Sequence, residues 1–202
     1  GTHGKTTTST ILAHILQNSG KDSTAFLGGI SKNYNSNLLL AEKEDMLIVE
    51  ADEYDRSFLQ LKPDVAIITS VDADHMDVYK TKEDLHKAFI QFTSQIKQKG
   101  ILLVEESVDI DFPAPDKGEI LTYSANSKAD YYADNIRIKN GKMIFDLSSL
   151  NIPPKRSSEL NQTNVELILP GKHNISNSVA AACVCYYLGV SAEDVSEGIA
   201  TF

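Results

Sequence analysis

The first eight residues form a phosphate-binding pattern, and their side chains are the first in the chain that could take part in chemistry. These are Gly1, Thr2, His3, Gly4, Lys5, Thr6, Thr7 and Thr8. Gly4-Lys5-Thr6 matches the second half of a Walker A loop, although the glycine expected five residues earlier is not in this chain. Glycine lets backbone N–H groups turn toward phosphate oxygens, and a helix that begins at the lysine adds its positive end. The pattern therefore predicts a site for nucleotide phosphates.

Individual roles follow from the chemistry of these side chains. Lys5 supplies a mobile positive charge for the β- and γ-phosphates, and the Thr6 hydroxyl can bind Mg²⁺. His3 could donate to a phosphate, contact a substrate or be simply exposed, and the sequence leaves these alternatives open. The competing interpretation of the whole stretch is an ordinary helix N-terminus with threonine caps.

Acidic residues follow two short apolar runs, at the points where strands are expected to end. Glu50 follows the run 46–49, and His75 lies in an acidic segment that follows the run 65–68. Because ligands of parallel sheets gather at the carboxyl ends of strands, both side chains are expected to face the phosphate loop. A carboxylate suits Mg²⁺, whereas imidazole prefers softer metals, so a hydrogen-bonded loop residue is the competing interpretation of His75. The acidic runs 50–55 and 72–77 could likewise be solvated loop faces.

The elements that must position these residues follow from the spacing of apolar side chains. Helices are predicted over residues 6–16, 82–98, 173–188 and 191–201. Gly20 is the expected C-cap of the first helix, and Ser191 with Asp194 forms a partial capping box before the last.

Strands are predicted from short apolar runs and from one turn signal. The runs lie at residues 46–49, 65–68, 101–104 and 120–123 and suit a parallel sheet covered by helices. Asn140-Gly141 predicts a hairpin within 131–150, followed by a loop over 151–164 and an antiparallel strand over 165–169. The predicted fold is thus α/β: a P-loop-type, mostly parallel sheet flanked by helices, with a small antiparallel sheet near residues 131–170.

Composition excludes several classes of function. The formal net charge of the 202 residues is −9, whereas nucleic-acid binding needs a basic stripe. No apolar run approaches the roughly 20 residues of a membrane-spanning helix. Cys183 and Cys185 are two apart on a predicted helix, so they cannot bridge each other and are interpreted as core thiols of a reducing cytoplasm.

Four segments together resemble the ordered motifs of the Mur ligases, and the resemblance spans nearly the whole chain. They are the first eight residues, Glu50-Ala51-Asp52-Glu53, Asp74-His75-Met76-Asp77 and His173-Asn174-Ile175-Ser176-Asn177. Each motif alone is weak, but their order and spacing together are specific.

The resemblance implies a set of site residues. The nucleotide-binding residues would be Gly1, Thr2, His3, Gly4, Lys5, Thr6, Thr7, Asn174 and Asn177, with ATP and Mg²⁺ as cofactors. Thr6 would hold one Mg²⁺ ion, and Glu50 and His75 would hold a second metal ion near the γ-phosphate. Lys5, Glu50 and His75 would act in catalysis, while Asn174 and Asn177 would lie near the adenine or, alternatively, cap a helix. A carbamylated lysine found in some Mur ligases is not assigned.

Within the family, the chain is similar to the central ATP-binding domain of members that join L-alanine to UDP-N-acetylmuramate. The segments 50–59 and 69–79 carry this similarity, and Gly28-Gly29 matches a substrate-side loop. The alternative is the ligase that recycles a murein tripeptide. The resemblance also implies that residues 1–202 are truncated at both ends. An N-terminal UDP-sugar domain and a C-terminal domain would then be absent, and the chain alone would not ligate.

Other classes of nucleotide-binding protein fit the sequence less well. A GTPase should contain an Asn-Lys-x-Asp motif, which this chain lacks. A small-molecule kinase should have an arginine-rich lid, yet the only arginines are Arg56, Arg137 and Arg156. A folate-polyglutamate ligase differs in its phosphate loop and acidic motifs, and a binding module without catalysis stays open.

Overall fold

The computed structural model of the chain describes residues 1–43, 46–72, 78–150 and 161–202. The chain divides into two compact units. The first consists of Gly1–Lys5 and Ala51–Thr122, and the second of Thr6–Glu50 and Tyr123–Phe202.

The described elements are four α-helices, nine strands and one short 3₁₀ helix. The helices are α1 (Lys5–Asn18), α2 (Lys82–Thr93), α3 (Lys172–Tyr187) and α4 (Ala192–Thr201), with the 3₁₀ helix at Ser57–Gln60. The strands are β1 (Thr24–Ser31), β2 (Ser36–Leu39), β3 (Leu47–Val49), β4 (Val65–Ile68), β5 (Ile101–Glu105), β6 (Glu119–Ser124), β7 (Tyr131–Lys139), β8 (Lys142–Ser149) and β9 (Gln162–Leu167).

In the first unit, a parallel pair of strands is covered by an amphipathic helix. β4 and β5 pair in parallel, with Val65 opposite Ile101, and β5 is followed by β6 in the strand order. Helix α2 buries Leu85 and Phe89 in the same hydrophobic cluster as Phe58. The strands confirm the predicted parallel arrangement of 65–68 and 101–104.

Helix α2 ends at Thr93, so the predicted extent of 82–98 was wrong at its C-terminal end. The chain continues in tight turns, in which the N–H of Ile96 donates to the carbonyl of Thr93 at 3.2 Å. Ile96 nevertheless stays buried in the core cluster of α2. The apolar spacing therefore continued past the helix, because a turn residue packs into the same core.

In the second unit, the end of β6 and strands β7 to β9 follow one another in space, and the predicted hairpin is confirmed. The end of β6 pairs in parallel with β7, and β7, β8 and β9 pair antiparallel. Asn140 and Gly141 join β7 to β8 with φ values of 52° and 76°, as a type I′ turn requires. The predicted loop over 151–164 was wrong for residues 162–164, which belong to β9. These residues are polar and partly exposed, so they gave no apolar signal, and residues 151–160 lie outside the described residues.

A second sheet in the same unit was not predicted. Its strand order is β2-β1-β3, in which β1 pairs antiparallel with β2 and parallel with β3. The run 46–49 was expected in a sheet buried on both faces, but Leu47 and Val49 are exposed. Gly28 and Gly29 lie inside β1 rather than in a loop. The opposite face of this sheet packs Ala25 against Ala13 of α1.

Helix α1 is anchored in this unit by a buried histidine. His14 Nδ1 lies 2.7 Å from the Tyr34 hydroxyl, and Nε2 lies 3.1 Å from both the Thr201 hydroxyl and the Asn18 amide nitrogen. These contacts tie the helix to the β1–β2 connection and to the end of α4. Cys183 and Cys185 of α3 are free and buried, which agrees with the prediction that they do not bridge each other.

The stability of the fold is expected to depend on pH through His14. Burial lowers the pKa of His14 below its ordinary value of 6.5. The unfolded chain then binds the proton more readily, so His14 contributes fully above about pH 6.5 and loses its contribution as the pH falls through the folded-state pKa. His14→Gln should show a smaller fall in melting temperature between pH 7.5 and pH 5.5 than the parent chain, measured by circular dichroism. An equal fall in both proteins would contradict this role.

Candidate functional site

The start of the chain is fixed to the end of β4 in the first unit. The N–H of Thr2 donates to the carbonyl of Ser70 at 3.1 Å, and the N–H of Asp72 donates to the Thr2 hydroxyl at 3.1 Å. A Cβ atom at Gly1 would lie 2.3 Å from the Thr69 hydroxyl and 2.8 Å from the Ser70 carbonyl. Gly1 is therefore needed for close packing, and the loop starts from a rigid support.

The next residues turn the chain into helix α1. Gly4 has φ 82°, a left-handed conformation that favours glycine, and α1 begins at Lys5. The first N–H groups of a helix have no partners within the helix, so they are available to an anion. His3 is exposed, and its Nε2 lies 3.7 Å from Asp72 Oδ2. The predicted loop-to-helix transition is thus confirmed, and His3 lies at its surface.

Lys5 has an acidic partner that the sequence analysis did not identify. Its Nζ donates to both carboxylate oxygens of Glu53, at 3.0 and 2.9 Å, and lies 3.7 Å from Asp52 Oδ1. The Glu53 side chain is 0% exposed, whereas that of Asp52 is 60% exposed. The Tyr79 hydroxyl donates to the Glu53 carbonyl at 2.6 Å and helps hold this segment. Lys5 is therefore held in place by a buried carboxylate.

In the second unit, the side chains of Glu50 and Thr6 are in contact. The Thr6 hydroxyl donates to Glu50 Oε1 at 3.1 Å, and the N–H of Gly28 donates to Glu50 Oε2 at 2.8 Å. Glu50 follows directly after β3, and its own N–H donates to the carbonyl of Phe26 in β1. The parallel pairing of β1 and β3 therefore brings the carboxylate to the first turn of α1.

The Thr6–Glu50 pair fits a magnesium ion by the chemistry of its donors. A hydroxyl and a carboxylate are the hard oxygen ligands that Mg²⁺ takes, with phosphates and waters completing its octahedron. Among the described residues, no group of three or more His, Cys, Asp or Glu side chains could hold a metal ion. Thr7 follows in the same turn of α1 and is half-buried.

The two predicted asparagines lie at the start of helix α3 in different surroundings. Asn174 Nδ2 donates to the carbonyl of Pro170 at 2.7 Å, a bond that holds the chain before the helix. Asn177 is buried, and its Oδ1 accepts from the Thr8 hydroxyl of α1 at 3.2 Å. Both bonds are structural, and the contact with adenine stays a prediction.

His75 lies outside the described residues, so its expected position near the phosphate loop stays a prediction. Within the parts of the chain that the structure describes, no helix has the length and apolar character needed to cross a membrane.

Comparison of the sequence with known protein families identifies the family to which the chain belongs. The sequence matches the Mur ligase middle domain over residues 1–185. The chain belongs to the Mur ligase family. The resemblance seen in the four motifs is thereby confirmed for most of the chain.

The chain is similar to curated and solved members of the family. It is 46% identical to the UDP-N-acetylmuramate–L-alanine ligase of Parabacteroides distasonis, over 100% of this chain and 42% of that protein. The structure of the UDP-N-acetylmuramate–alanine ligase of Thermotoga maritima matches with a TM-score of 0.80 at 23% identity, over 100% of this chain and 43% of that one. The Neisseria UDP-N-acetylmuramate:L-alanyl-γ-D-glutamyl-meso-diaminopimelate ligase matches with a TM-score of 0.81 at 20% identity, over 100% and 64%. At these identities the two structures show a shared fold, and the chain spans about two fifths of the curated relative.

The buried pair of Lys5 and Glu53 should contribute measurably to stability. Glu53→Gln is expected to lower the free energy of unfolding by about 1–3 kcal/mol, because the partly buried ammonium group loses a charged acceptor. Asp52→Asn is the matched control and should change it by less than about 1 kcal/mol, because that carboxylate is exposed. Urea denaturation of both variants measures the difference. Equal effects of the two substitutions would show that Glu53 does not hold Lys5 in solution.

Proposed function

We propose that the full-length protein joins L-alanine to the carboxylate of UDP-N-acetylmuramate, with ATP as the energy source and in the cytoplasm. The observation that carries this proposal is the Glu50 carboxylate, which contacts the Thr6 hydroxyl at 3.1 Å in the first turn of α1. The 46% identity to a ligase of this specificity, over the whole chain, supports the choice of substrates.

The nucleotide would bind through the residues of the amino-terminal loop. The loop residues and the first N–H groups of α1 would receive the phosphates, with Lys5 adding positive charge. Lys5 has three N–H donors, of which Glu53 takes two, so one remains for a phosphate oxygen. Glu53 can therefore hold the lysine while the nucleotide is bound.

In this proposal Thr6 would hold one Mg²⁺ ion, and Glu50 with His75 would hold a second metal ion, as the family motifs imply. When bound, Mg²⁺ neutralises the negative charge of the phosphates. Asn174 and Asn177 would lie near the adenine.

The reaction takes place in two steps. A substrate carboxylate oxygen attacks the γ-phosphorus, the bond to the β-phosphate oxygen breaks, and ADP leaves. The amine of L-alanine then attacks the acyl carbon, inorganic phosphate leaves, and the nitrogen loses a proton to give the amide. A free carboxylate is a poor electrophile until it is phosphorylated, which is why the first step precedes attack by the amine. The residues of this chain position the phosphates and neutralise their charge.

A second candidate is the recycling ligase, which uses a free tripeptide in place of L-alanine. The fold is as close to the Neisseria structure, with its TM-score of 0.81, as to the alanine ligase of Thermotoga maritima. The fold alone therefore does not separate the two, and the identity to the Parabacteroides distasonis protein favours L-alanine.

A substrate panel tests the proposed reaction in the full-length protein. ADP release is measured with UDP-N-acetylmuramate and each of several amino acids, or with the murein tripeptide. We expect release only when UDP-N-acetylmuramate and L-alanine are both present. Release that depends on the tripeptide would favour the recycling ligase, and ATP binding without any dependent release would favour a binding module.

Substitution of Glu50 separates a ligase from a module that only binds nucleotide. Glu50→Ala is expected to lower kcat by roughly 10²–10³, because one charged contact around the phosphates is lost. ATP binding, measured by calorimetry, should largely survive. The exposed Glu42 provides the matched control Glu42→Ala, which should leave kcat unchanged. Normal turnover of Glu50→Ala would contradict the assigned role.

A further inference from the structure

We propose that Gly28 is a positioning residue, whose missing side chain makes room for the Glu50 carboxylate and whose N–H fixes the direction of that carboxylate. The inference rests on the proposed function, in which Glu50 binds Mg²⁺. It adds a residue of β1 to the group that prepares the metal site.

The hydrogen bonds of Glu50 come from two different elements. Gly28 of β1 donates its N–H to Oε2 at 2.8 Å, and Thr6 of α1 donates its hydroxyl to Oε1 at 3.1 Å. With one donor on each oxygen, the carboxylate cannot rotate without losing a bond. Such bonds to a ligand of a metal fix its orientation and typically change metal affinity or activity 10–100-fold when removed.

The space at Gly28 is the second and independent observation. A Cβ atom at this position would lie 2.2 Å from Glu50 Oε2, and 2.5 Å from both Cδ and Oε1. Real Cβ atoms do not approach other atoms so closely, so the carboxylate would have to move. The obstructing atoms are the end of a flexible side chain, and the strand could therefore keep its fold while Glu50 shifts.

Backbone conformation does not explain the glycine. Gly28 lies within β1, and its φ is outside the left-handed range in which glycine is favoured. An alanine could adopt the backbone of this strand, so the requirement at position 28 is for space beside Glu50.

The neighbouring Gly29 provides a matched control in the same strand. A Cβ atom there would meet only Thr6 Cγ2 within 4 Å, at 3.7 Å, which is an ordinary contact. Of these two consecutive glycines, only Gly28 has the Glu50 carboxylate at the position of the missing Cβ.

A stability cycle tests the crowding without any metal or nucleotide. In the full-length protein, Gly28→Ala should lower the melting temperature when residue 50 is Glu. The same substitution should have little effect in a Glu50→Ala background, because the obstructing carboxylate is gone. Gly29→Ala should behave alike in both backgrounds. An equal loss from Gly28→Ala in the two backgrounds would overturn the proposal.

Metal dependence of nucleotide binding tests the positioning role. The Mg²⁺ concentration that half-saturates binding of an ATP analogue should rise roughly tenfold or more in Gly28→Ala and less than about threefold in Gly29→Ala. The double variant Gly28→Ala/Glu50→Asp should recover part of this loss, since the shorter side chain retracts from the added methyl group. Identical Mg²⁺ dependence of the two alanine variants would overturn the inference about Gly28. An unchanged Mg²⁺ dependence in Glu50→Gln would instead overturn the proposed function, so the two failures are distinguishable.

Discussion

The arrangement of the second unit depends on one carboxylate that must be held at the first turn of a helix. The Glu50 side chain reaches Thr6 only because β3 pairs in parallel with β1 and ends at Val49, opposite Phe26. The same pairing places Gly28 beside the carboxylate, where any larger residue would displace it. A glycine inside a strand weakens that strand. In this protein, β3 brings the Glu50 carboxylate to α1, and Gly28 leaves space for its two oxygens.

In the first unit, a positively charged side chain, that of Lys5, is also held in place by a partner. A lysine at the start of a helix meets the positive end of the helix dipole, which disfavours a cation there. The buried carboxylate of Glu53 offsets this, and it receives two bonds from Lys5. Because breaking a buried ion pair costs free energy, the lysine side chain is kept in one place. Its ammonium group has three N–H donors, so one remains for a ligand. In each unit, therefore, a charged side chain is held by hydrogen bonds from or to other residues of the chain.

Much of this architecture could be predicted from the sequence, and the failures have physical causes. The hairpin at Asn140-Gly141 was predictable because only a few residue types accept two consecutive positive φ values. Strand β1 was missed because Gly28 and Gly29 interrupt its apolar pattern, and a side chain at position 28 would collide with the Glu50 carboxylate. Predictions from local sequence are expected to fail where a residue is required by the functional site rather than by the fold.

Some residues of the candidate site could likewise be predicted from the sequence, and others could not. Lys5, Thr6 and Glu50 could be selected as candidates from their types and positions, and their roles stay predictions. The hydrogen bond between Thr6 and Glu50 was not predicted. Glu53 was missed because it lies in an acidic run that resembles a solvated loop, and no periodicity marks one carboxylate of such a run as buried. The available signal was the lysine itself, since a charge of this kind in a packed loop needs a partner. His75 and the adenine contacts of Asn174 and Asn177 stay predictions from the family motifs.

The most direct test of the central claim is the position of the metal ion beside Glu50. A crystal structure of the full-length protein with an ATP analogue and Mn²⁺ in place of Mg²⁺ would locate the ion by its anomalous scattering. We expect a peak within about 2.0–2.3 Å of an oxygen of Thr6 or Glu50, with Glu50 still bonded to the N–H of Gly28. A nucleotide-bound ion away from both side chains would contradict the account.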